Sequence, residues 1–126
     1  MKLEVGQFAR LKSGYICKII NINDFREPNM KYGVEANYLK DVMFIGDDDV
    51  VKSSYNIIDI LEVGDVIEID VIDEDNYPTI MGINFARIEN KEELESIKDM
   101  LKNESAKLLT VTTHEQMEQM AYKVGE

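Results

Sequence analysis

Apolar and polar positions alternate with the period of a β-strand through most of residues 1–90, and a helical period takes over from Lys91. Val5, Gln7, Ala9 and Leu11 alternate with Gly6, Phe8, Arg10 and Lys12, Ser13-Gly14 offers a turn, and Tyr15 to Asn23 returns as a β-rich segment. The pattern predicts a hairpin. Asp, Pro and Asn in "NDFREPN" interrupt it, and a third strand is expected over about Lys31 to Leu39. A short apolar piece at Val42 to Ile45, a turn at "GDDD" and a brief strand through Val50 and Val51 follow.

The stretch "SSYNIIDILEVGDVIEID", residues 53–70, changes period halfway. Ser53 or Ser54 is placed to cap a helical turn in which Ile57, Ile58 and Leu61 share a face and Asn56 and Asp59 lie outside. Val63-Gly64-Asp65 lets the chain reverse. Val66, Glu68 and Asp70 then alternate with Ile67, Ile69 and Val71, as in a strand with one wet face. The stretch reads as a plug that closes one end of a sheet, with Ile57, Ile58, Leu61 and Val66 buried together. "DEDNYP" is a loop, and Thr79 to Ile88 forms the next strand. "VGQFARL" and "VGDVIEI" share Val-Gly-polar followed by alternation, which reads as recurring turn chemistry.

From Lys91 to about Asn103, Leu94, Ile97 and Leu101 fall on one helical face with Met100 beside them. "KLLTVTT" suits a strand, and "TTHEQMEQMAYKV" opens with Thr112 or Thr113 as a cap and Glu115 or Gln116 at the capping-box position. A single domain over 1–126 is expected, with a β-rich body at 1–90 and helix, short strand and short terminal helix at 91–126. The expected class is mainly β (β + α): a partly open antiparallel β-barrel or strongly curved sheet with a C-terminal helical segment.

"VGQFARLKSGYICKI" resembles the opening hairpin of SH3-like or KOW-like barrels, with Gly14 in the turn. The segments around Asn56–Asp65 and Thr113–Val124 together resemble a family of uncharacterised small proteins encoded by phages and prophages of Gram-positive bacteria. That family carries an Asn-Ile-Ile-Asp-Leu-Ile-Glu-Val-Gly-Asp segment and a Thr-x-Glu-Gln-Phe helix followed by Tyr-Lys-Val. Here Met117 stands where phenylalanine is usual, the ending is Tyr122-Lys123-Val124, and Cys17 replaces a frequent glycine. The resemblance covers about a third of the chain and implies a phage context without an activity.

Composition narrows the classes further. At 126 residues the chain is long enough for one core, and its 44% apolar share is that of a globular protein. No apolar run approaches the roughly 18 residues of a membrane helix. The charged N-terminus lacks a signal-peptide core, and the lone Cys17 cannot form an internal disulfide, so a cytoplasmic location is expected. Catalysis finds little support. The one histidine, His114, reads as a surface residue, and Cys17 as a small core filler sharing a face with Tyr15 and Ile19. A calcium loop starting at Asp73 has Tyr77 and Pro78 at positions five and six, where the turn needs a ligand and glycine. No phosphate-binding glycine motif is present, and there is no tryptophan platform for sugars. No enzyme activity, cofactor or metal is expected.

Charge is the feature above background. The chain carries a net −11, and residues 41–75 hold twelve carboxylates against Lys52 alone. Residues 1–40 are mildly basic, too faint for a nucleic-acid stripe. The candidate acidic interaction surface is Asp47, Asp48, Asp49, Glu68, Asp70, Asp73, Glu74 and Asp75; a purely solubilising role is the competing reading. Three functions follow: a non-enzymatic phage-type module that binds a host or phage protein with a basic surface; an acidic nucleic-acid mimic that inhibits a host enzyme; or a small-ligand binder. Direct nucleic-acid and membrane binding are not expected, and the pattern does not fix an oligomeric state.

Overall fold

The computed structural model describes residues 3–36 and 41–120. Among them are eight strands in two antiparallel sheets and two α-helices, a mainly β fold. The strands are β1 (Phe8–Leu11), β2 (Ile16–Ile22), β3 (Tyr32–Glu35), β4 (Met43–Ile45), β5 (Val50–Ser54), β6 (Val66–Val71), β7 (Gly82–Arg87) and β8 (Ala106–Thr112). The helices are α1 (Lys91–Lys102) and α2 (His114–Met120). The chain forms two compact units, Met1–Ile60 and Leu61–Glu126. The change of period within residues 53–70 marks their boundary.

The first unit is a five-stranded sheet of order β4-β3-β2-β1-β5. Four strands meander and the fifth returns to pair with the first, the connectivity of an SH3-like barrel. Among the described residues its edges β4 and β5 do not pair, so the barrel stays open. Ile20 in β2 and Val51 in β5 are extra residues where the ladder shifts, and such bulges bend a sheet around its core. That core is Leu3, Ala9, Leu11, Cys17, Ile19, Tyr32, Val34, Ile45 and Val50. The "GDDD" turn is a short 3-10 helix at Asp47–Asp49, and Tyr32 donates its hydroxyl to Asp47 Oδ1 at 2.6 Å.

Several local expectations are corrected. Ser53 and Ser54 end β5 instead of opening a helix, and the cap is Asn56, whose Oδ1 accepts from the Ile58 amide. The turn that follows is a 3-10 helix at Ile57–Ile60, and it is Ile60 that is buried, while Ile57 and Ile58 are half-buried. Three residues per turn moves the buried position away from the one an α-helical count selects. Leu61 is buried in the second unit and Val66 is half-buried, so the four residues do not form one buried set. Arg10, counted above with the basic residues, is also buried, its Nη1 donating to the Ile60 carbonyl at 3.1 Å. The third strand ends at Glu35; Leu39 and the Tyr122-Lys123-Val124 ending lie outside the described residues. Pro78–Ile80 is a 3-10 turn, so β7 starts at Gly82 and not at Thr79. Proline lacks the amide for a ladder and suits the first turn of a helix.

The second unit is a three-stranded sheet of order β7-β6-β8. Ile67, Ile69 and Val71 are buried on one face of β6, and Val66, Glu68 and Asp70 are half-buried on the other. Asn90 caps α1 by accepting from the Glu93 amide, and Leu101 is the buried residue of its apolar stripe, with Leu94, Ile97 and Met100 half-buried.

The two units share more than turn chemistry. Each opens with the same four residues, Leu3-Glu4-Val5-Gly6 and Leu61-Glu62-Val63-Gly64, and both leucines are buried. The Gly6 amide donates to the Ile19 carbonyl and the Ile19 amide to Gln7; the Gly64 amide donates to Ile88 and the Ile88 amide to Asp65. The side chain of the next residue closes each turn: Gln7 Oε1 accepts from the Glu4 amide at 2.9 Å, and Asp65 Oδ2 from the Glu62 amide at 2.8 Å. Pairing then runs in matching register. Phe8 lies opposite Lys18 and Ser54, as Val66 lies opposite Arg87 and Thr112. Both ladders also shift at the same step, after Arg10 and after Glu68. β7-β6-β8 thus repeats β2-β1-β5.

Candidate functional site

The wet face of the second sheet carries a mixed surface. Directly paired residues share a face, so Glu68 sits between Phe85 of β7 and Thr110 of β8, and Asp70 between Ile83 and Lys107. Val66 sits between Arg87 and Thr112. Phe85 and Ile83 are 72% and 64% exposed, which is unusual for large apolar side chains on a regular strand. Thr110 Oγ1 lies 3.4 Å from Glu68 Oε1. At the corresponding places of the first unit stand Arg10, Ile16 and Lys52, and there the Ile57–Ile60 turn supplies the carbonyl that Arg10 meets. The repeated framework therefore makes the open face of the second unit a distinct feature.

The remaining acidic positions do other work. Asp49 Oδ2 accepts from the Gly46 amide and Asp47 from Tyr32, so two of the three aspartates hold their own turn. Burial, followed by the Asp47 hydrogen bond, raises the Tyr32 phenol above its ordinary value. Asp73 organises "DEDNYP", accepting from the Asn76 side chain, the Asp75 and Asn76 amides and Ser105 Oγ. The Asn76 side-chain bond leads the causes that hold its carboxyl below the usual range. Asp48, Glu74 and Asp75 are solvent-exposed. Glu68, Asp70 and Asp73–Asp75 belong to the second unit and Asp47–Asp49 to the first.

Cys17 is a core residue. Its thiol donates to the Ala9 carbonyl with a sulfur–oxygen distance of 3.7 Å, and burial pushes its pKa up to about 11. At neutral pH it is a thiol and a poor nucleophile.

A second constellation escaped the sequence reading. His114, expected as a plain surface residue, is half-buried at the start of α2. Its Nε2 lies 3.1 Å from Glu62 Oε1 and also meets Glu115 Oε1. Thr113 and Gln116 form the expected capping box: Gln116 Oε1 accepts from the Thr113 amide and Thr113 Oγ1 from the Gln116 amide. Asp65, fully buried, accepts from the Glu62 amide through Oδ2 and from the His114 amide through Oδ1 at 3.1 Å. One carboxylate thus ties the turn to α2 and fixes both Glu62 and His114. In the first unit the matching glutamate, Glu4, accepts from the Tyr55 hydroxyl, and the Tyr55 ring lies against Gly6 as the His114 ring lies against Gly64.

Comparison of the chain with protein-family models, with curated proteins and with solved structures finds no match in any of the three.

Proposed function

We propose that the protein is a non-enzymatic, phage-type interaction module that docks a partner protein on the wet face of the second sheet. The supporting observation is the pair Ile83 and Phe85, exposed on β7 beside Glu68 and Asp70. An exposed aromatic next to an aliphatic side chain is the usual anchor of a protein interface, and the two carboxylates fit a partner whose apolar socket is rimmed by Lys or Arg. Nucleic-acid phosphates would meet Glu68 and Asp70 and be repelled. The mimic reading draws less support, because Lys107 lies opposite Asp70 and Arg87 lies on the same face, so acid there is interleaved with base.

The test is capture of proteins from a Gram-positive host lysate by wild type, by an I83A/F85A variant and by an E68Q/D70N variant, each at low and high salt. A partner retained by wild type is expected to be lost with I83A/F85A at either salt. With E68Q/D70N it is expected to be weakened mainly at low salt, where the charge attraction contributes most. Retention unchanged in both variants would remove this face from the interaction.

A further inference from the structure

We infer that Glu62, His114 and Glu115 form a binding site for a divalent transition-metal ion of the zinc class. The three donors come from two separate segments: Glu62 from the turn that opens the second unit, His114 and Glu115 from the first residues of α2. Their ligand atoms all lie within 4.8 Å of one another, and all three residues are half-buried. Two tetrahedral zinc ligands at ordinary bond lengths stand about 3.3 Å apart. His114 Nε2 and Glu62 Oε1, at 3.1 Å, are close to that spacing, whereas Glu115 Oε1 stands nearer to Nε2 and would draw back to reach it.

The chemistry of the contact favours a cation. Two carboxylate oxygens converge on one imidazole nitrogen, Nε2, whose lone pair is a metal ligand when it carries no proton. A divalent ion among the three donors uses the lone pair and both carboxylates at once. One nitrogen with two carboxylates suits zinc better than magnesium or calcium, which prefer all-oxygen shells. The supporting geometry is already built: Asp65 holds the backbone amides of Glu62 and His114, which limits the motion of both ligands. The first unit provides an internal contrast. The same turn there meets a tyrosine hydroxyl, a sufficient hydrogen-bonded fastener with no metal-binding nitrogen. Histidine and a following glutamate turn the same fastener into a three-donor site. Three protein ligands leave one position for water, so the ion would clamp α2 to the turn and remain accessible to chelators.

The experiment uses the full chain without a histidine tag. Isothermal titration with zinc chloride at pH 7 should give one ion per chain, and equal magnesium chloride should give none. His114 is the only histidine, so its ring-proton NMR signals report the site directly. They should shift on adding zinc and return on adding EDTA. E115Q, which keeps the size of the side chain, should weaken zinc at least tenfold, and H114Q should abolish the stoichiometric step. Zinc binding that persists in H114Q, or histidine signals unmoved by zinc, would overturn the assignment. So would equal affinity in E115Q and wild type. None of these readouts depends on a protein partner, so they stand or fall apart from the interaction face.

Discussion

Gly64 has a φ of +97°, and a Cβ built on it would stand 3.1 Å from the Cβ of His114. Both facts act against any other residue there. Left-handed backbone costs an alanine about 1–2 kcal/mol, and the close approach adds to it unless α2 shifts. Gly82, at +91° with nothing within 4 Å, separates the two effects. Urea unfolding should show Gly64→Ala losing distinctly more stability than Gly82→Ala; equal losses would mean that α2 yields freely. Cys17 gives a second residue-scale test. Its raised pKa means that stability from keeping the thiol neutral is fully present below the ordinary value of 9.0 and is lost as pH rises toward about 11. The folded protein at pH 8 should resist thiol reagents that label it quickly in denaturant. The role of Cys17 was legible in the sequence, because a small apolar residue alternating with Ile19 marks a core position. That of His114 was not, since its meaning depends on Glu62, 52 positions away.

At the scale of elements, alternation located the strands well because each sheet has one buried and one wet face, and a period of two is the direct trace of that. β6 illustrates it, with Ile67, Ile69 and Val71 buried and Glu68 and Asp70 toward solvent. Ends were less legible: whether Ser54 ends a strand or caps a helix is decided by the partner strand, as is the bulge at Val51. The repeated turn is half-visible in the sequence, since Val-Gly-polar recurs there while the matching bonds that make it one construction exist only in the fold. Its chemistry differs between copies, and the difference is testable. Asp65→Ala leaves two amides without this carboxylate in a fully buried place and should cost about 2–6 kcal/mol, while Gln7→Ala, half-buried with one such amide, should cost about 1 kcal/mol. Leu61→Ala should cost about 2–5 kcal/mol and exposed Asp59→Ala less than about 1 kcal/mol. Chemical denaturation measures all four, and parity between Asp65→Ala and Gln7→Ala would reduce the acid to a spacer.

For the whole molecule, the net charge of −11 has to be reconciled with a stable fold. Carboxylates that accept hydrogen bonds, such as Asp47, Asp49, Asp65 and Asp73, hold turns in place of burdening them. Those exposed without such a task, Asp48, Glu74 and Asp75 among them, mainly contribute repulsion that salt screens. Melting temperature should therefore rise by a few degrees between low and high salt. A D48N/E74Q/D75N variant should melt at least as high as wild type and respond less to salt. Asp73→Asn should behave in the opposite way. A carboxyl held below its ordinary value of 3.8 contributes stability that is present above that pH and lost as the pH falls through the lowered value. The gap in melting temperature between wild type and Asp73→Asn should thus be open at pH 6 and close as the medium is acidified below about 4. A gap that stays constant with pH would show that Asp73 acts through shape and not charge. A triple variant that melts lower than wild type would show that those three acids also support the fold.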